Sequence, residues 1–207
     1  MMTEEMGLPR EYFEELYERR ADPWGFSTRW YEERKRALTM AMLARPRYAR
    51  VLELGCSTGL LTAQLAPRAD VVRAVDISQT AVDIARASLD GIGAHDHVRV
   101  ERLDVRDGLP TGPFDLVVIS EVAYYLTADD VERLGEGTRA ALGSEAEVLL
   151  CHWRRAVTDY PLRGDAVHTI LAGAMGLSRL GRLEDEDLLL ELFSTDSWSV
   201  ATREGLQ

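Results

Sequence analysis

The chain has only two cysteines in 207 residues. That excludes a disulfide-stapled scaffold, and their spacing matches no metal-ligand pattern, so no metal is expected. Cys56 lies in a small-residue turn and Cys151 in an apolar run; both read as small buried thiols. Long hydrophobic runs are missing too. No stretch approaches the roughly 20 apolar residues of a membrane span, and no membrane partner is expected. Residues 1–5 are acidic and lack the apolar centre of a signal peptide, which makes the cytoplasm the expected location. Positive charge is scarce: 24 Lys and Arg against 35 Asp and Glu leave a formal net charge of −11. Non-specific affinity for nucleic acid comes from Lys and Arg, so nucleic acid is not an expected partner. One basic cluster stands out, Arg29, Arg34, Lys35, Arg36, Arg45, Arg47 and Arg50. It reads as a solvated helix face or, alternatively, as an anion-binding surface. Internal repeats and low-complexity tracts are absent.

What the chain does have is an ordinary apolar fraction, 46%, and the length for one domain with a substantial core. Its organising stretch is Val51-Leu52-Glu53-Leu54-Gly55-Cys56-Ser57-Thr58-Gly59. A short apolar run meets a turn of small residues, and 60–66 then repeat apolar residues at helical spacing. Strand, tight turn and helix form the nucleotide-binding unit of open α/β sheets. The small residues let the backbone bend sharply and a ligand approach closely. The turn reads Gly55-x-Ser57-x-Gly59 rather than G-x-G-x-x-G, which speaks against a dinucleotide-dependent oxidoreductase. Glu53 sits inside the strand, where a charge needs a partner. A second apolar run from 71 ends in Asp76, roughly 20 residues on, where an acid can accept hydrogen bonds from ribose hydroxyls. A third, 98–103, is followed by Asp104 and Val105.

The rest of the chain alternates in the same way. Pro9 opens a helix to about residue 20, with Tyr12, Phe13, Leu16 and Tyr17 on one face. Asp22-Pro23-Trp24-Gly25-Phe26 breaks it. Ser27 or Thr28 is the expected cap of a second helix to about residue 44, with Tyr31, Leu38 and Met42 on one face. Ser78 is a good N-cap for a helix to about 89, with Val82, Ala85 and Leu89 inward. Residues 90–93 read as a turn. Residues 114–120 are the clearest buried strand, since continuous β-branched residues suit a sheet covered on both faces. Thr127-x-x-Asp130 is a capping-box-like start for a helix carrying Val131, Leu134 and Leu142. Residues 143–146 read as a turn before a fifth strand, 147–153. Loop 160–168 leads into a helix to about 175, and 177–183 with 188–193 form a hairpin. The polar tail 196–207 is expected to be loosely held.

The motifs Glu53-Leu-Gly55-Cys-Ser57-Thr-Gly59, Ala-Val-Asp76-Ile-Ser and Leu-Asp104-Val resemble, in order and spacing over about 50–155, those of class I S-adenosylmethionine (SAM) methyltransferases. Asp22-Pro23-Trp24, Tyr31-Glu32 with Lys35, Ser-Glu121-Val-x-Tyr-Tyr-Leu, and His152-Trp153 with the run from Tyr160 to His168 are similar to the nodulation protein S (NodS-like) branch. The resemblance implies a Rossmann-like α/β fold, a seven-stranded mostly parallel sheet with an antiparallel last strand. It implies a single domain: an N-terminal helical cover (1–48), a core (49–194) and a tail (195–207). It implies SAM as cofactor, S-adenosylhomocysteine as product, and a small-molecule or oligosaccharide substrate taken by a monomer or homodimer.

Roles follow from these motifs. Backbone N–H groups of the turn with Gly55, Cys56, Ser57 and Gly59 favour the cofactor's carboxylate, and Lys35 could help. Asp76, with Ile77 beside it, would hold the ribose. Asp104 would accept from the adenine amino group, with Val105 beside the ring. Ser120 and Glu121 end a strand at the ligand-binding edge, and Glu53 is expected to orient the loop. Trp24 and Tyr31 are cofactor contacts or core aromatics. An amine acceptor must be neutral to react and a hydroxyl acceptor needs a general base; the candidates are His152, Glu121, Tyr125, Tyr124 and His168. Each histidine could instead be a hydrogen-bonded core residue. In an extended segment Tyr124 and Tyr125 cannot both face inward. The NodS-like branch implies nitrogen as the acceptor, on an amino sugar or natural-product intermediate. Oxygen is the alternative, and a binding protein without catalysis is a third.

Overall fold

A computed structural model describes residues 7–91, 93 and 96–206. The acidic 1–5 segment and Ile92 of the expected turn lie outside the described residues. Two helices come first, α1 (Arg10–Arg19) and α2 (Trp30–Met42). Strands and helices then alternate: β1 (Tyr48–Leu54), α3 (Leu60–Leu65), β2 (Ala69–Asp76), α4 (Gln79–Asp90), β3 (Val98–Arg102), β4 (Phe114–Ser120), α5 (Ala128–Ala141), β5 (Leu142–Trp153) and α6 (Gly164–Met175). The hairpin β6 (Ser178–Glu184) and β7 (Leu188–Ser194) and a short α7 (Val200–Arg203) finish the chain. Among the described residues no helix is long and apolar enough to cross a membrane.

The sheet has seven strands in the order β3-β2-β1-β4-β5-β7-β6. β1 is parallel to β2 and β4, and β4 to β5, while β7 runs antiparallel to both β5 and β6. Alternate residues of each central strand feed opposite cores. Leu52, Leu54, Val117 and Ile119 pack with Leu134 and Leu171 on one face. Val51, Leu116, Val118 and Leu149 pack with Leu43 and Leu65 on the other. Both faces are covered, which is why 114–120 reads as an unbroken apolar run. Strand order reverses between β1 and β4, and ligands bind outside the carboxyl ends of strands at such a point.

Several local expectations change. Arg29, not Ser27 or Thr28, precedes α2, and it gives no side-chain cap. Ser27 is drawn back instead, because the Asp22 carboxylate accepts from the Phe26 and Ser27 N–H groups at 2.7 and 2.9 Å. The Ser78 cap forms, accepting from Ala81 N–H at 3.1 Å. The Thr127 hydroxyl accepts from Asp130 N–H at 3.1 Å and donates to its carboxylate at 2.7 Å. Residues 143–146 are not a turn: β5 begins at Leu142, paired with Phe114 across an irregular register. Within the tail Arg203 donates to Asp196 at 2.7 Å, and the same guanidinium lies 3.9 Å from the Glu147 carboxylate of β5.

Candidate active site

A cavity of about 460 Å³ opens at the carboxyl ends of β1, β2 and β4, roofed by α1 and the 22–28 loop. Its floor is the turn after β1. Gly55 (φ +75°), Ser57 (φ +51°) and Gly59 (φ +81°) take left-handed backbone there. A Cβ on Gly55 would lie 3.0 Å from that of Val122, and one on Gly59 would lie 3.2 Å from that of Ala85. Both the bend and the close packing therefore require glycine. Gly55 and Cys56 N–H groups donate to the Val75 carbonyl, which pins the turn to β2.

Asp76 locks the turn from the side. Its carboxylate accepts from Ser57 N–H at 2.8 Å and Ser78 N–H at 3.0 Å and still faces the cavity. Burial raises its pKa against those hydrogen bonds. Asp104 and Val105 line the same end. Both Asp104 oxygens receive the Arg106 guanidinium, at 2.9 and 2.6 Å for the nearest contacts. Burial works against the charge on Asp104, but Arg106 holds its carboxyl below the ordinary value. Ile77, Ser120, Trp24 and Tyr31 also line the cavity.

Four expected cofactor contacts lie behind this wall. Cys56, Gly59 and Glu53 support the turn from beneath, where Glu53 accepts from the Thr62 hydroxyl at 2.6 Å. Burial pushes the Glu53 pKa up to about 8, against the Thr62 hydrogen bond. Lys35 is the fourth, and its expected role as a carboxylate ligand fails for an electrostatic reason. Its ammonium sits 2.8 Å from Glu32 and 3.5 Å from Glu121, buried between the rings of Phe26 and Tyr31. Two carboxylates already neutralise it. The rest of the basic cluster is dispersed as well: Arg34 pairs with Asp185, Arg45 with Glu147 and Arg47 with Asp70. It forms neither a plain solvated face nor a continuous anion surface.

The opposite end of the cavity is tyrosine-walled. Residues 123–125 form a 3-10 turn rather than an extended segment, so Tyr124 and Tyr125 are both buried and both face inward. Tyr160 stacks on Tyr124 with centroids 5.0 Å apart and meets Tyr125 edge-on. Glu121 (φ +57°) stands between this end and the floor. One of its oxygens accepts from the Tyr124 hydroxyl. The other, Oε1, is buried without a hydrogen-bond partner, as is the Tyr31 hydroxyl.

The two histidines are not on the cavity wall. His152 is 0% exposed and lies under the Tyr124 ring. Its Nε2 accepts from Ala123 N–H at 3.3 Å and its Nδ1 is 3.0 Å from His168 Nε2. His168 Nδ1 is 2.8 Å from Glu191 Oε2. Burial lowers the His152 pKa well below the ordinary value. Neither ring can reach an acceptor, so the expectation of a histidine base is corrected. Sequence reasoning missed Tyr17, Tyr160 and Glu191. Tyr17 and Tyr160 carried only the signals of an apolar helix face and a Tyr-Pro loop, and Glu191 carried none.

This arrangement has relatives. The family model for nodulation protein S (NodS) matches residues 12–151. Nodulation protein S of Bradyrhizobium diazoefficiens is 33% identical over 106 residues, covering 51% of this chain and 49% of that protein. The chain thus spans about half the length of the curated relatives it matches. A crystal structure of a Pseudomonas syringae protein inferred to be a methyltransferase is 43% identical, with a TM-score of 0.70 over 80% of this chain and 99% of that one. The N-methyltransferase NodS of Bradyrhizobium japonicum WM9, solved with S-adenosylhomocysteine, is 24% identical with a TM-score of 0.78, covering 87% and 97%. That last likeness is one of fold, and it extends the shared architecture beyond the segment matched in sequence. With the floor turn, the strand-end acids and the matched segment all in one frame, the chain belongs to the nodulation protein S (NodS) family.

Proposed function

We propose that this protein transfers a methyl group from SAM to the nitrogen of a small or glycosidic amine, such as an amino sugar or a natural-product intermediate. Its cover (1–48), core (49–194) and tail (195–207) work as a single domain, in the cytoplasm, as a monomer or homodimer. The cavity residues fit the cofactor. Gly55 and Gly59 let the floor turn bend tightly against Val122 and Ala85, and two acids, Asp76 and Asp104, line the cavity and would serve a nucleoside as acceptors. Gly55 and Ser57 would hold the methionine end, Asp76 the ribose, and Asp104 with Val105 the adenine, under Trp24 and Tyr31. When bound, SAM supplies a methyl group carried on a positively charged sulfur.

The observation that carries the choice of nitrogen is Glu121. Its Oε1 is buried, makes no hydrogen bond and faces the Lys35 ammonium at 3.5 Å, at the boundary of a tyrosine-lined pocket. The ion pair to Lys35 leaves that oxygen short of a hydrogen bond, a buried acceptor with its capacity unfilled, and an incoming ammonium or amine N–H would supply one. Tyrosine faces also attract a cation. The acceptor exchanges one N–H bond for an N–CH3 bond, and the released proton passes to a Glu121 oxygen or to water. Product analysis with labelled SAM and a panel of amines and alcohols tests this reading. Methyl amines are expected, with rates rising with pH until the amine is free. A methyl ether as the sole product would overturn the assignment to nitrogen. Tight SAM binding with no methylated product would leave a binding protein.

A further inference from the structure

We infer that His152 and His168 are positioning residues: with Glu191 they form a hydrogen-bond chain of fixed direction that holds the turn presenting Glu121, Tyr124 and Tyr125 to the acceptor. The inference rests on the methyltransferase reading for what the turn does, but the chain itself is read from geometry alone.

Each link has only one possible direction. Glu191 Oε1 receives Arg179 at 2.8 Å and Arg182 at 3.0 Å, so its carboxylate is ionised and can only accept. His168 Nδ1, 2.8 Å from Glu191 Oε2, therefore carries a hydrogen. At the other end Ala123 N–H can only donate, so His152 Nε2 is bare. A neutral imidazole has one donor and one acceptor nitrogen. His152 Nδ1 must carry its hydrogen, and His168 Nε2 accepts it at 3.0 Å. A protonated His168 would put two N–H groups face to face, or leave His152 with no hydrogen at all. All four ring nitrogens are engaged, and none is free to act as a base.

The packing is built to bring the rings together. A Cβ on Gly164, at the start of α6, would lie 2.3 Å from the Trp153 carbonyl oxygen and 3.1 Å from the Cβ of His152. Only glycine lets α6 approach β5 this closely. His168 follows one helical turn later on the same face and reaches His152.

The end of the chain needs holding. Glu121 has φ +57°, a conformation that non-glycine residues keep only when their surroundings enforce it. Ala123 N–H, two residues on, is fixed by His152. The His152 ring also packs against Tyr124, centroids 5.4 Å apart, and Tyr124 donates its hydroxyl to Glu121. The Glu121 carboxylate is thus set through both backbone and side chain.

The test compares His152→Gln with His152→Leu in the full chain. A Gln amide can accept from Ala123 and donate to His168, whereas Leu fills the space and leaves Ala123 N–H unpaired. Both variants are expected to bind S-adenosylhomocysteine within about twofold of wild type by calorimetry. The Gln variant is expected to keep amine kcat/KM within about threefold. The Leu variant is expected to lose on the order of tenfold or more, with a raised KM for the amine. Equal loss in both variants would make His152 a base, and wild-type kinetics in the Leu variant would make it plain core; either overturns the inference. Imidazole 15N shifts of the wild type give a readout independent of turnover and of whether the Leu variant folds. Both rings are expected neutral with hydrogen on Nδ1 at pH 7, and any other form refutes the chain. Loss of S-adenosylhomocysteine binding by the wild type would instead refute the methyltransferase reading, and the 15N result would still stand.

Discussion

The Tyr17 hydroxyl donates to Ser57 Oγ at 2.5 Å, joining side chains 40 positions apart. Through that contact α1, which the sequence presents only as an amphipathic helix, is tied from the roof of the cavity to its floor. A second contact holds it there: Glu14 accepts from Gln79 N–H, Thr80 N–H and the Thr80 hydroxyl at 2.6–3.1 Å. That carboxylate sits at the N-terminus of α4, where unpaired N–H groups and the helix dipole favour an anion. Tyr17→Phe removes one hydrogen bond and keeps the ring against Trp24. Affinity for SAM, measured by calorimetry, is expected to fall about 2- to 10-fold with little change in thermal midpoint. Unchanged affinity would separate the cover from cofactor binding.

Asp76→Ala acts more strongly. It removes the acceptor of Ser57 and Ser78 N–H groups together with the acid expected to hold the ribose. A loss of at least about tenfold in SAM affinity is expected, since a charged hydrogen-bond acceptor contributes roughly 1.5–3 kcal/mol. A variant that binds as wild type would remove Asp76 from the site.

The 22–28 loop carries Trp24 over the cavity. Asp22 ties its own loop through Phe26 and Ser27, so the loop is better anchored than its Pro-Gly composition suggests. Its residues still depend on few regular hydrogen bonds, which makes local opening easy. Amide exchange across 22–28 is expected to slow when S-adenosylhomocysteine binds. The same exchange with and without ligand would leave Trp24 a structural residue.

Glu53 gives a pH dependence of defined sign. Burial raises its folded pKa to about 8, above the roughly 4.3 of an unfolded glutamate. The folded state therefore binds more protons between these values, and the contribution of Glu53 to stability falls as pH rises from about 4.5 through 8. Glu53→Gln keeps an acceptor for Thr62 and cannot ionise. Urea midpoints between pH 5.5 and 8.5 are expected to decline less steeply in the variant. Parallel curves would show that Glu53 titrates normally.

The sequence by itself determined the order of strands and helices, the sharp turn from Gly55 to Gly59 and the acids Asp76 and Asp104. Those signals are local: an apolar run, a change of period, and a small or acidic residue at a strand end fix each element within a few neighbours. It also named Glu121 and the tyrosines beside it, but not how they sit, because a 3-10 turn and an extended segment share one composition there. Tertiary structure alone decided the rest. Whether Lys35 is free for a ligand depends on Glu32 and Glu121, and whether His152 can act as a base depends on His168 and Glu191 from α6 and β7. Protonation and access are set by the groups a fold brings within hydrogen-bond reach, and β5 meets β7 only through the antiparallel pairing that places Cys151 opposite Leu190 and His152 opposite Leu189.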